Sequence, residues 1–255
     1  MLSLRFFIAN KILHKPVKHR GINFYDRAGY FLLLNPERIE KIEKLNDNEY
    51  IIIVKDLGKF YIKNDIWPVL YYLQNEYEIL DVKDKVVLDI GAYVGDSSIY
   101  FIRKGARKVY VYEAVKDFYE ILLKNIELND LQDKIIPINK GIDCNKGENY
   151  IKININNRGE SGSEYGNYKI ELTSIKDVFE EIYNKEEEFV TKMDCEGCEY
   201  SLLCLPDEVL KYSREYIIEI HGSPQVLISK FLRNGYKMKI VKKDSWYLGV
   251  YYFYR

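Results

Sequence analysis

The stretch Lys85 to Ser98, KVVLDIGAYVGDSS, constrains this chain more than any other. Its first residues are almost continuously apolar and close on an acid, as expected of a strand buried on both faces. Gly91 and Gly95 come at once, and Asp96, Ser97 and Ser98 then open a helical pattern. Strand, glycine turn and helix start together make the first half of a βαβ unit. The alternation continues. Lys108–Tyr112, Lys134–Asn139, Glu188–Met193 and Glu215–Ile220 read as further strands, and Asp96–Lys104, Asp117–Leu128, Thr173–Tyr183 and Pro224–Leu232 as helices. Apolar strands alternating with helices imply a parallel sheet covered on both faces. Tyr236–Val241 and Trp246–Phe253 read as a closing hairpin around Lys243-Asp244-Ser245.

The first third has a different pattern. Glu49–Lys55 and Lys59–Lys63 are strand-like, with turn residues Asp56-Leu57-Gly58 between them, so a hairpin is expected. Asp65–Leu80 has helical spacing, with Trp67, Leu70, Tyr71 and Leu73 able to share a face and Pro68 in the first turn. We therefore divide the chain into a β-rich cap with a linking helix, residues 1–80, and an α/β domain, residues 81–255. Glu148–Ile170 is rich in Asn, Gly and Ser and reads as short strands or a long loop over the site.

Composition excludes several classes. With 38 Lys+Arg against 39 Asp+Glu, the chain lacks the basic excess of a dedicated phosphate-backbone binder, so no nucleic-acid partner is expected. No apolar run approaches the ~18–20 residues needed to span a bilayer. Phe6-Phe7-Ile8-Ala9 is followed, not preceded, by basic residues, which is unlike a secretory leader. The basic N-terminus reads as a piece packed on the domain, with a peripheral membrane contact as the alternative. Of four cysteines, Cys195, Cys198 and Cys204 crowd together and Cys144 stands apart. That is not a secreted disulfide framework and implies a reducing cytoplasm. A structural zinc needs four ligands and no second CxxC exists, so the cysteines are taken as small buried residues and no metal ligands are assigned.

Site residues are expected where strands end, since ligands of open α/β sheets bind outside the carboxyl ends. The spacing D-x-G-x-x-x-G at Asp89, Gly91 and Gly95 differs from the dinucleotide pattern G-x-G-x-x-G, because an acid stands where the first glycine would be. An acid there repels pyrophosphate and suits a ligand with an ammonium or sulfonium, as in S-adenosylmethionine. Glu113 ends the next strand, 22 positions beyond Gly91, and is placed to accept from ribose hydroxyls. Asp194 emerges at the end of FVTKM, with Glu196 and Glu199 at the start of the next helix. His221, in EIHG, faces the same crevice and suits proton transfer. Each has a plainer alternative: Asp89 as a helix cap, Glu113 as a solvated charge, Glu199 as a partner of the helix dipole, His221 as a hydrogen-bonding residue.

With these residues in view, the chain resembles the FkbM-type family of class I S-adenosylmethionine-dependent methyltransferases. The likeness rests on VVLDIGAYVGDSSIYFIRKGARKVYVYEA (Val86–Ala114), KNIELNDL (Lys124–Leu131), ELTSIKDVF (Glu171–Phe179), KMDCEGCEYSLL (Lys192–Leu203) and EIHG (Glu219–Gly222). The resemblance implies a Rossmann-like, seven-stranded, mostly parallel sheet with an antiparallel strand from the final hairpin. It also implies O-methylation of a hydroxyl on a sugar, glycolipid or secondary metabolite. Carried over by motif, Asp89, Gly91, Ala92, Gly95, Asp96 and Ser97 line the methionine end, and Glu113 and Ala114 lie at the ribose. Asn139, Gly141 and Ile142 flank adenine, and Asp194 reaches the cofactor amine or the acceptor. Tyr93 and Ala114 stand where the family often has Asn and Pro, which touches loop shape and not charge.

His221, or the Asp194/Glu196 pair, is the expected acceptor of the hydroxyl proton; alternatively the carboxylates hold a divalent cation that lowers the acceptor pKa. Two competing readings are a nicotinamide-dependent oxidoreductase, with Tyr112 and Lys116 as a superficial Tyr/Lys pair, and a non-catalytic binding module.

Overall fold

The computed structural model describes residues 38–63, 66, 68, 76–153, 166–243, 245 and 248–255, with the backbone alone of 17–19, 22–24 and 161–165. The apolar cluster and basic residues of the N-terminus, most of the helix expected at Asp65–Leu80, and the tip residues Asp244 and Trp246 lie outside these. Residues 76–80 are turns and not the end of a helix: the Leu80 N–H bonds to the Tyr77 carbonyl, 3.1 Å away.

Two short strands, β1 (Val17–His19) and β2 (Ile22–Phe24), pair antiparallel. The expected hairpin is β4 (Glu49–Val54) and β5 (Gly58–Lys63), turning through Asp56 at φ 61° and Gly58 at φ 140°. A third strand, β3 (Ile39–Lys44), joins it. Its IEKIEK pattern hid it, because Ile39 and Ile42 are three positions apart and both reach the core only through a register shift between Ile39 and Lys41.

The α/β unit runs β6 (Val86–Ile90), α1 (Asp96–Arg103), β7 (Lys108–Tyr112), α2 (Lys116–Leu128) and β8 (Ile135–Ile138). Then come β9 (Gly141–Asp143), β10 (Gly147–Ile153), β11 (Ser161–Tyr165), β12 (Tyr168–Ser174) and α3 (Ile175–Glu186). The chain continues with β13 (Phe189–Met193), a 3-10 helix at Cys198–Cys204, α4 (Asp207–Leu210) and β14 (Ser213–His221). It closes with α5 (Gln225–Arg233), β15 (Lys237–Lys243) and β16 (Leu248–Tyr254).

The main sheet has seven strands in the order β15-β16-β14-β13-β6-β7-β8. The pairs β14/β13, β13/β6, β6/β7 and β7/β8 are parallel, and β16 is antiparallel to both of its neighbours. This is the expected Rossmann-like α/β fold. Strand order reverses at β6, whose neighbours β7 and β13 lead to opposite halves, so the ends of β6, β7 and β13 border a topological switch point.

The polar stretch after β8 is mostly strand. β10, β11 and β12 are antiparallel, and β12 also pairs parallel with β9, in a separate four-stranded sheet; residues 154–160 lie outside the described set. Thr173, expected in a helix, belongs to β12. The helix starts at Ile175 because Ser174 caps it by accepting from the Asp177 N–H at 3.5 Å.

The cap sheet rests on α2 through two side chains four residues apart. Asn125, fully buried, accepts from the Tyr61 N–H at 2.6 Å and donates to the Val94 carbonyl at 2.8 Å. Asn129 accepts from the Lys59 N–H at 2.9 Å and donates to its carbonyl at 2.7 Å. The exposed edge of β5 is thereby satisfied by amides instead of another strand. Tyr50, Ile52, Phe60 and Ile62 share one buried cluster with Phe101, Val109 and Ile126.

Candidate functional site

Register places the chemistry. In the parallel pairing of β13 with β6, Lys192 lies opposite Asp89 and Met193 opposite Ile90; in β6 with β7, Ile90 lies opposite Tyr112. Residues just past these ends therefore meet at one edge of the sheet.

Asp89 is completely buried, and its charge is countered inside the fold. Its Oδ2 accepts from the hydroxyls of Ser97 and Ser98, both at 2.6 Å, and Oδ1 lies 3.2 Å from the ammonium of Lys192. Lys192 is equally buried and donates to the Gly91 carbonyl at 2.6 Å. Burial alone pulls its ammonium down, but Asp89, Asp194 and Asp96 outweigh this and hold it above the usual lysine range. Asp89 thus ties the first turn of α1 and β13 to the end of β6.

Gly91 serves this same junction. It sits at φ 73°, and a Cβ there would lie 1.8 Å from the carbonyl oxygen of Asp194. The close approach that demands glycine is therefore made by the neighbouring loop's backbone. The Asp194 N–H donates to the Ile90 carbonyl at 3.0 Å and the Gly91 N–H to that of Tyr112 at 2.9 Å, so the turn is fixed from both flanking strands. Gly95, at φ 83°, packs against α2, where a Cβ would stand 3.1 Å from Leu122 Cγ. Ala92, Asp96 and Ser97 are buried.

Glu113 is also buried. One oxygen accepts from the Tyr93 N–H and the other from the Val115 N–H, each at 2.8 Å, which joins the glycine turn to the loop after β7. Burial pushes its carboxyl up to about 7, partly opposed by these two N–H groups. Asn139 donates to the carbonyls of Glu113 at 2.8 Å and Ala114 at 3.3 Å. Gly141 opens β9, where a Cβ would meet Leu172 at 2.8 Å, and the side chain of Ile142 is buried in the core.

The second half of the site lies past β13 and β14. Asp194 accepts from the hydroxyl of Tyr77 at 3.1 Å. Glu199 is fully buried; its Oε1 lies 2.9 Å from His221 Nδ1 and accepts from the Cys195 N–H at 3.4 Å. His221 Nε2 lies 3.3 Å from Glu196 Oε2. Burial opposes the charged imidazole, but Glu199, Glu196 and Asp194 prevail and raise its pKa. Glu219 is pushed upward chiefly by burial and then by Asp194, with which it shares a hydrogen bond. Glu196 (φ 56°) and Gly197 (φ 120°) make the turn after Asp194, and the helix expected next is a 3-10 helix.

The cysteines correct the sequence reading. Cys144 is bonded to Cys204 and Cys195 to Cys198. None is fully buried, and Cys204 is exposed. The reading of four small buried thiols fails because tertiary folding brings β9 beside the 3-10 helix, and cysteine usage then carries no argument for a reducing compartment.

Lys192, Ser98, Tyr77 and Glu219 were not among the sequence candidates. Lys192 had a signal: a lysine inside the apolar run FVTKM must be buried, and a buried lysine demands an acid. Tyr77 had none, because its contact with Asp194 spans 117 positions.

The model of the methyltransferase FkbM domain matches residues 89–238. This chain belongs to that family. The match runs from the buried Asp89 through both halves of the site to β15. Among solved structures, the chain is similar to M. jannaschii TYW2 in complex with AdoMet (16% identity, 84% of this chain and 88% of that one, TM-score 0.46). It is also similar to Aeropyrum pernix fibrillarin with natively bound S-adenosyl-L-methionine (12%, 84% and 98%, TM-score 0.45). A third is M. capricolum TrmK in complex with S-adenosyl-homocysteine (16%, 72% and 67%, TM-score 0.43). These three likenesses are distant. Among the described residues no helix is long and apolar enough to cross a membrane.

Proposed function

We propose that this FkbM-family protein transfers a methyl group from S-adenosylmethionine to a hydroxyl of a sugar, glycolipid or secondary-metabolite acceptor. The observation that carries the reading is the cluster of Asp194, Glu196, Glu219 and His221 at the ends of β13 and β14, directly beside the glycine turn of β6. The cofactor, when bound, supplies an electrophilic methyl on a cationic sulfur that leaves as a neutral thioether.

The residues present suit such a ligand. Each Glu113 oxygen accepts a single backbone N–H and keeps a lone pair for a ribose hydroxyl. Gly91, Ala92, Gly95, Asp96 and Ser97 shape the turn that would face the methionine end. Asp89 acts through that turn, since its oxygens are taken by Ser97, Ser98 and Lys192. Ala114, Asn139, Gly141 and Ile142 stand in the loop and strand that would border adenine. Residues 1–80 and the β10–β12 region are proposed to choose the acceptor.

A hydroxyl is a weak nucleophile until it gives up its proton. His221, raised toward the imidazolium by its acids, pairs with Glu199 and aligns Asp194 and Glu196, the carboxylates proposed to take that proton. His221→Ala is expected to lower turnover roughly 10²–10⁴-fold while cofactor affinity, read by calorimetry, stays near wild type. Unchanged turnover would remove His221 from the chemistry, and no S-adenosylmethionine binding by the wild type would overturn the proposal itself.

Glu113 adds a pH signature. Its carboxyl is pushed up to about 7, so below that value it is largely protonated and one oxygen is lost as an acceptor. Cofactor affinity should therefore rise with pH, by roughly eightfold between about pH 6 and 7.5 if only the ionised form binds. A flat calorimetric profile, or one identical in Glu113→Gln, would exclude Glu113 from ribose recognition.

A further inference from the structure

We propose that Asp194, Glu219 and His221 bind one divalent cation. Each offers one ligand atom, and the three atoms lie within 4.8 Å of one another. They come from adjacent parallel strands, β13 and β14, whose pairing sets Met193 opposite Ile218 and so fixes the spacing of the strand ends. Two carboxylates and an imidazole form a mixed oxygen and nitrogen set suited to a first-row divalent ion. Such an ion sits about 2.1 Å from each ligand, so the three donors need close by less than roughly 1 Å.

Two further observations suit a cation at this cluster. Glu199, completely buried behind His221, has one carboxylate oxygen, Oε2, with no hydrogen-bond partner among the described residues. A buried carboxylate oxygen without a donor is costly unless a positive charge lies close. The other oxygen of Glu199 lies 2.9 Å from His221 Nδ1. A carboxylate at one imidazole nitrogen orients the other toward a metal and raises its basicity. That other nitrogen, Nε2, lies 3.3 Å from Glu196, and a bound ion would take the place of its proton. Glu199 is thus a positioning residue for the ligand histidine. With three protein ligands the ion keeps open positions, and polarisation of an acceptor hydroxyl there rests on the proposed function; cation binding itself does not.

The test titrates cofactor-free protein with Mn2+ and follows loss of the free-ion EPR signal. Mn2+ suits carboxylate oxygen, and Cys195 and Cys198 are bonded to each other, so they do not confuse the readout. One equivalent should bind to wild type. Glu219→Gln and His221→Ala, checked for native circular dichroism, should each weaken binding by at least about tenfold, and Glu199→Gln by roughly tenfold through His221 alone. No saturable uptake by wild type, or uptake unchanged in both ligand variants, overturns the site. S-adenosylmethionine titration of the same preparation separates the two ideas. Cofactor binding without Mn2+ uptake refutes the cation site and leaves the proposed function standing. Mn2+ uptake without cofactor binding supports the cation site and refutes the proposed function.

Discussion

Replacing Gly91 by alanine is expected to disable the site outright. The added methyl group would stand 1.8 Å from the Asp194 carbonyl oxygen and 2.7 Å from its carbon, both backbone atoms that no rotamer change can move. The turn also sits at φ 73°, a left-handed conformation costing a residue with a Cβ about 1–2 kcal/mol. Relief requires the loops after β6 and β13 to separate, which stretches the Lys192 bond to the Gly91 carbonyl and the Asp194 bond to Ile90. The expected result is a loss of about 3 kcal/mol or more of stability in urea unfolding, from clash plus lost buried hydrogen bonds. Cofactor binding should fall below detection in calorimetry. Gly95→Ala is the control: its conformation is also left-handed, but its Cβ would meet the side chain of Leu122 at 3.1 Å, which can give way. It should be the milder variant. If Gly91→Ala kept the wild-type urea midpoint, the contact between the two loops would be wrong.

Lys192→Met should be nearly as severe, for an electrostatic reason. Lys192 and Asp89 are 2% and 0% exposed at the side chain, so removing the ammonium leaves a buried carboxylate facing a thioether. Breaking a buried pair from one side costs about 3–5 kcal/mol, because the remaining charge is uncompensated. Adding Asp89→Asn removes that charge while an amide oxygen can still accept from a serine hydroxyl, so the double variant should recover more than half of the loss. A double-mutant cycle on unfolding free energies measures this coupling. Strict additivity of the two single changes would mean that the pair does not interact as described.

The two experiments probe different layers of legibility. The glycines were visible as turn residues, but the purpose of Gly91 was not, because its steric partner is Asp194, more than a hundred positions away. The acid Asp89 was visible at a strand end, but its counter-ion was not. Lys192 becomes its neighbour only when β13 pairs with β6 in the observed register. Glu113 was legible by its distance from the glycines, whereas its two backbone donors belong to turns whose shape no local pattern specifies. β3 was hidden by the register shift that breaks its period of two, and the cysteine pairs by sequence separation in one case: Cys144 and Cys204 are 60 positions apart.

The chain by itself determined the alternation of buried strands and amphipathic helices, and with it the sheet class and the list of strand ends. Both come from short-range periodicity, which depends only on which residues must leave water. Tertiary structure alone decided which of those ends face one another. Asp89 acquired a lysine, His221 acquired a buried glutamate, and Asp194 acquired a tyrosine from residue 77. Electrostatic environment depends on distances of a few ångströms between segments remote in sequence, and strand order and register set those distances.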